Sequence, residues 1–361
     1  MLRKLVSLLF CVIFLVSLVA CGDSEPVTSQ DGADPSTDTV SSDTSSERTD
    51  TQTSTDTESK NTSTQKSPAQ AILEEGQYFV GLTDQKNQRL LVCDLAVEDW
   101  SKDKGVVWKM KTYGGVAGIK FRDNEYWGGK VVIYCSGTQA TIASYDKKRV
   151  LLSVTNAPVN SHSVELLPNG VFVVAGSTGN EVRIYGAGKK NYSDSVAFPS
   201  AHGVLWDPKY DVLWIEGSNL LQAYKVTGTV DAPKLTPVED MRYSPNTNLH
   251  DMAPVYGNPD QLLLTGSAGV VLFDKTTGKG SYDYPAGGFL KTQGYVPGVG
   301  NYTSGVCVFT TIRSDTLTYK EWGTDKVGIF VPVEGTKGKV IYRQAKSDAY
   351  YKARVFSFDY Q

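Results

Sequence analysis

The chain has 361 residues, with 36 Lys and Arg against 39 Asp and Glu for a net charge of −3, five cysteines and three histidines. That balance gives no basic surface for nucleic acid. No Gly-rich loop runs from a strand into a helix to cradle phosphates, and no Ser-nucleophile elbow is present, which argues against nucleotide and hydrolase functions. At the N-terminus, Arg3 and Lys4 precede an apolar run from Leu5 to Val19. The run is too short and too early for a membrane span and fits a secretory signal over residues 1–20.

The run ends in Leu18-Val19-Ala20-Cys21-Gly22, which resembles the lipobox of bacterial lipoproteins. The resemblance implies cleavage before Cys21 and diacylglycerol on its sulfur. One acyl chain gives marginal membrane binding at about 0.8 kcal/mol per buried CH₂, so two or three chains on one cysteine make the anchor durable. The chain is therefore expected to be exported and lipid-anchored, with its domain extracytoplasmic and the membrane as a partner through the anchor. Residues 21–70 are Ser, Thr, Asp, Gln, Glu and Lys with scarcely an apolar side chain. They have nothing to bury against the entropy of ordering and are predicted to form a disordered stalk.

From Gln77 onward, short β-branched and aromatic runs alternate with Gly, Asn, Asp and Pro, which predicts an all-β domain over residues 71–361. Cys93, Cys135 and Cys307 lie inside apolar strand-like runs and read as buried small hydrophobes rather than a disulfide framework. Three segments repeat. Ser161 to Gly170 precedes the strand Val171 to Ser177, Ala201 to Pro208 precedes Val212 to Ser218, and Leu249 to Pro254 precedes Gln261 to Ser267. Their histidines fall 40 and 48 positions apart, the period of four-stranded propeller blades. Weaker copies begin at Gly118 and Gly294. A sixth blade forms if Lys352 to Phe358 joins Gln77–Leu82, Arg89–Leu95 and Val106–Met110. The prediction is a six-bladed β-propeller closed by its two ends. Seven blades would result if Thr316 to Tyr342 hides a further sheet, and a β-sandwich fits the repeats less well.

In a propeller the first strand of each blade lines the channel. The positions leading into it are Lys352, Ala117, His162, His202, His250 and Gln293 in ring order. All three histidines of the chain share one repeat position, which suggests a polar site at the channel mouth. A scaffold role for them, each bonded within its own blade, is the competing reading. Turns on the same face add Asp84 and Glu216, while Tyr295 and Tyr351 lie close by and could stack on sugar rings. Neutral imidazole suits one divalent ion such as Mn or Zn, and His162, His202 and His250 with Gln293 could hold it.

That set is similar in residue type to the three-histidine, one-glutamine manganese site of oligogalacturonate-lyase-type propellers. The likeness implies a metal gripping a uronate carboxylate while a base, here Lys352, Arg354 or Glu216, removes a proton. The repeat His162 to Val174 also resembles that of arylsulfotransferase propellers, which would imply a histidine accepting the sulfuryl group. Lipobox, stalk and His-x-Val repeat together resemble an uncharacterised family of secreted bacterial propeller proteins. The functions that follow are a monomeric surface protein binding a carbohydrate or other anionic small molecule, a metal-dependent polysaccharide lyase, a sulfuryl transferase, or a protein-binding scaffold.

Overall fold

The computed structural model describes residues 66–245, 247–312, 317–320 and 322–360. Cys21, the signal segment and nearly all of the expected stalk lie outside the described residues. No described helix is long and apolar enough to cross a membrane. The fold is a six-bladed β-propeller. Blade one runs over 118–154, blade two over 161–197, blade three over 201–243, blade four over 249–281 and blade five over 298–344. Blade six takes its innermost strand, Tyr350–Val355, from the C-terminus and Phe79–Asp84, Arg89–Asp94 and Val106–Lys111 from the N-terminus.

Each blade is sandwiched between two others, so its middle strands bury both faces and read as continuous apolar runs. Phe172–Gly176 is buried throughout. Its Val173 and Ala175 meet Val204 and Ile215 of blade three, while Phe172 and Val174 meet Ile133 and Ile142 of blade one. The described residues form six such apolar clusters, one between each neighbouring pair of blades. Cys93, Cys135 and Cys307 are unpaired and buried among them. The unit from Ser63 to Gln361 therefore carries its cores within itself.

Closure is pinned by ladder and charge together. Val80, Gly81 and Leu82 pair with Val355, Arg354 and Ala353. Asp84, expected at the ligand face, is instead fully buried in this joint. Its carboxylate accepts from Ala349 N at 3.0 Å, Asn87 Nδ2 at 2.7 Å and Arg89 Nε at 2.7 Å, and Arg89 also reaches Asp348 at 2.9 Å.

Three details differ from the sequence expectation. The folded part starts ahead of residue 71, because Pro68–Gly76 is a helix capped by Ser67, whose Oγ accepts from Gln70 N at 3.3 Å. Its only fully buried apolar side chains, Ala69 and Leu73, are four residues apart and seat it on the core between blades five and six. The innermost strand of blade five is Gly298–Asn301 rather than a strand from Gly294. A Cβ at Gly298 would lie 2.5 Å from Ala353 N, so the close approach of blades five and six requires glycine there. Finally, Lys326–Val331 and Lys339–Gln344 complete blade five, and Leu317–Tyr319 with Gly323–Thr324 forms a small hairpin on the closing strand. The described residues therefore contain no seventh blade.

Candidate metal centre at one mouth of the channel

The innermost strands of a propeller run in one sense, so their first residues share one mouth of the channel. The histidines stand second in their strands, Ser161–Leu166, Ala201–Asp207 and Leu249–Pro254. In each blade the pairing register slips at that residue, between Ser161 and Ser163, Ala201 and Gly203, and Leu249 and Asp251. A bulge inserts one residue and re-aims its side chain, here into the channel three times over. Asn160 and Ser200, each two residues before a histidine, hold left-handed backbone at φ 54° and 49°. For Ser200 that is local strain of the kind found beside functional groups.

The rings converge. Their centroids are 4.6 Å apart for His162 and His202, 4.7 Å for His202 and His250, and 5.8 Å for His162 and His250. One ring nitrogen from each lies within 4.8 Å of the others. His202 Nδ1 is 2.6 Å from Ser200 O. A carbonyl only accepts, so Nδ1 carries the proton and Nε2 keeps its lone pair.

Tyr351 completes the cluster. The register in the closing blade slips opposite Leu82 and Asp84, which puts Tyr351 where the other blades have histidine. Lys352, expected at the mouth, moves one level down. The Tyr351 hydroxyl is 2.8 Å from His250 Nε2 and 3.2 Å from His162 Nδ1, and its ring is only 2 % exposed, too little for a sugar to stack on. If it accepts from both nitrogens, lone pairs remain on His162 Nε2 and on His250 Nδ1, the latter buried without a hydrogen-bond partner. Tyr295 packs its partly buried ring 4.5 Å from His250. Gln293 is buried and its amide donates to Phe289 O at 3.3 Å.

Below the imidazoles lies a buried charge layer. Asp251 accepts from Lys352 Nζ at 2.6 Å and from both Arg354 Nη atoms at 2.5 Å. Neither cation is therefore a free base, and both Nη atoms of Arg354 are held on this carboxylate, below the histidines, rather than beside an imidazole at the mouth. Glu216 reaches the same region from the second strand of blade three. It pairs with Gly203, where a Cβ would stand 2.4 Å from its Oε1, so the glycine leaves room for the carboxyl to cross. Both Glu216 oxygens are buried with no hydrogen-bond partner. The sequence names Glu216 as a candidate base in a turn, whereas the structure places it within the strand Val212–Gly217. The Gly203/Glu216 cross-strand pair was the signal available.

Protonation follows from burial. Burial pushes His202 down to about 4 against the small opposing help of the Ser200 carbonyl, and it pushes His162 and His250 well below the usual imidazole value, with the neighbouring imidazoles and Lys352 adding to the effect. All three are neutral at pH 7, the state that ligates metal. Burial, followed by the charge of Asp251, raises Glu216 well above the usual carboxyl range, so it holds a proton under mild acid. The linkage signs are opposite. Unfolded imidazoles take protons below about pH 6.5 that the folded ones refuse, so stability is full above that pH and is lost as pH falls toward 4. Glu216 keeps a proton that the unfolded chain gives up above its ordinary value, so its contribution is lost as pH rises through its folded pKa. In metal-free urea titrations, wild-type stability should fall from pH 7 to 4.5, and Glu216→Gln should remove the loss on the alkaline side. Equal midpoints at pH 7 and 5 would contradict the buried, neutral imidazoles.

Residues 126–287 match a family described as "Family of unknown function (DUF6528)". No curated protein matches the chain. Among solved structures, a functionally unknown protein from Desulfotomaculum acetoxidans is similar at 12% identity and a TM-score of 0.46, over 74% of this chain and 86% of that one. The dihydro-heme d1 dehydrogenase NirN, solved in complex with DHE, is similar at 12% identity and a TM-score of 0.45, over 74% of this chain and 54% of that one. The chain thus spans about half of the NirN chain.

Proposed function

We propose that the histidine mouth holds one divalent ion, Zn or Mn by the chemistry of its donors, and that the ion's open positions bind the anionic group of a small ligand such as a uronic acid. One observation carries this reading: three imidazoles on successive blades offer nitrogens within 4.8 Å of one another, each imidazole held neutral by burial. The hydrogen bonds behind the nitrogens have the pattern of a metal's outer shell, in which a ligating histidine donates its other N–H to a carbonyl or similar acceptor. Ser200 O plays this part for His202, and Tyr351 can play it for the other two. A scaffold reading fits less well, since the rings turn toward one another rather than each into its own blade. Three protein ligands leave coordination positions open, as in sites that act on ligands rather than only holding a fold together. Display on the outer face of a cell membrane through Cys21 belongs to the same proposal and is supported by the lipobox-like sequence.

A second reading, proton transfer on the bound ligand, is favoured by the buried and unpartnered Glu216 carboxyl beside Gly203, next in sequence to His202. The test for the ion and its anionic ligand is metal titration of the chain from Ser63 to Gln361. Zn or Mn should bind at one equivalent per chain at pH 7.5, and galacturonate but not galactose should alter the electron paramagnetic resonance of bound Mn. Failure to bind either ion in tenfold excess would end the metal reading. Binding of the ion with equal indifference to both sugars would leave the metal and remove the anionic ligand.

A further inference from the structure

The other mouth of the channel is built differently. Beyond the Asp251 layer, Lys120 and Arg122 of blade one meet Glu165 of blade two. Arg122 grips the carboxylate side-on at 2.9 and 2.8 Å, and Lys120 Nζ lies 3.1 Å from it and donates to Val204 O. The C-terminal tail crosses this end. Asp123 N donates to Phe358 O at 3.2 Å, Arg122 Nη1 to Asp359 O at 3.2 Å, and Tyr360 Oη to Leu166 O at 2.7 Å. Between tail and strands is a small cavity of about 30 Å³, open to solvent, lined by Lys120, Arg122, Arg354, Tyr256 and Ser357 with apolar neighbours such as Met252.

Among the described residues, the charges around that cavity do not balance. Lys120, Arg122, Lys352 and Arg354 are buried, and the carboxylates paired with them are Glu165 and Asp251 alone. Even an ionised Glu216 would leave one positive charge unmatched, and a protonated Glu216 leaves two. Lys120 and Arg354 line the cavity together, bound to different carboxylates. Burial, with Arg122 and Arg354 nearby, outweighs Glu165 and draws Lys120 down to about 8. Donors also remain. Arg354 Nε is buried without an acceptor, and an ammonium has three protons where Lys120 shows two acceptors. Among the described residues of the tail, the carboxylate is Asp359, which is exposed and accepts from the Ser357 hydroxyl at 3.1 Å. Buried cations without counter-charge are costly, and an oxyanion with several acceptor atoms is the group that relieves them.

We propose that this cavity is an anion site, distinct from the histidine mouth, where a small oxyanion such as phosphate, sulfate or a single carboxylate binds between Lys120 and Arg354. The site gives the tail-covered end of the channel a ligand of its own, and it stands or falls independently of the metal.

The experiment is a thermal-stability titration of the chain from Ser63 to Gln361 in a chelator, with phosphate, sulfate, acetate and chloride compared at matched ionic strength. At least one oxyanion should raise Tm saturably, by about 5 °C at a hundred times its Kd, and chloride should not. Lys120→Gln keeps the side-on Arg122–Glu165 pair and should weaken that oxyanion about tenfold, the loss of one charged hydrogen bond. Ser357→Glu, a change in the tail rather than the core, should bring a carboxylate into the cavity, raise Tm without added anion and abolish the response. His202→Ala should keep the response, which separates this site from the metal. Identical curves for chloride and every oxyanion, or a Ser357→Glu protein that responds like wild type, would overturn the proposal.

Discussion

Asp251→Ala should cost about 3–5 kcal/mol of folding free energy, the range for breaking a buried ion pair by removing one partner. The carboxylate is fully buried and is shared by Lys352, also fully buried, and Arg354, 8 % exposed. Truncation leaves both cations in the channel with no acceptor for three short hydrogen bonds. Burial by itself would raise the Asp251 carboxyl, yet Arg354 and Lys352 hold it below the usual range, so the charged pair persists through ordinary pH. Urea denaturation at pH 7 measures the loss. A cost under about 1 kcal/mol, the level of an exposed pair, would mean that water reaches this layer and screens it. The contrast with Glu216 is informative, because the two carboxyls lie in the same part of the channel. Burial favours the protonated form of Glu216, and its carboxyl has no hydrogen-bond partner, so in mild acid Glu216→Gln should change stability far less than Asp251→Ala.

The blades were legible because their middle strands are buried on both faces, and long apolar runs at a fixed period survive the loss of finer detail. The histidines were legible for the same reason, since a repeated bulge leaves a repeated residue. What escaped the sequence was register. Alignment put Lys352 level with the histidines, whereas a slip opposite Leu82 and Asp84 lifts Tyr351 into that layer and drops Lys352 beside Asp251. A one-residue shift exchanges the two faces of a strand, so here it exchanged a supposed base for a hydroxyl that bridges two imidazoles. Asp84 escaped because Ala349, whose N–H it accepts, and Asp348, with which it shares Arg89, are more than 250 residues away along the chain, joined to it only by ring closure. Glu216 was legible as a candidate base, but its place in a strand was not, because that depends on a missing side chain across the ladder. A glycine at 203 reads as turn or flexibility until its pairing partner is known.

His202→Ala should weaken Zn or Mn binding by at least about 100-fold while leaving the propeller folded. Two of the three imidazoles would remain, too few to hold an ion in the manner of a three-ligand site, and His202 is the ring whose free nitrogen is fixed by the Ser200 carbonyl. The fold should survive because this side chain is only partly buried and lies at the mouth rather than in any of the six cores. Tyr351→Phe is the sharper companion. It keeps the ring and removes only the hydroxyl behind His162 and His250, and loss of such an outer partner typically costs 10–100-fold in metal affinity. If the cluster were instead a hydrogen-bonded plug, Tyr351→Phe would lower Tm with or without metal, and Zn would not move the wild-type Tm. Measuring Tm for the three proteins with and without Zn therefore assigns the imidazoles to ligation or to packing by which of the two changes removes the metal shift and which removes only stability.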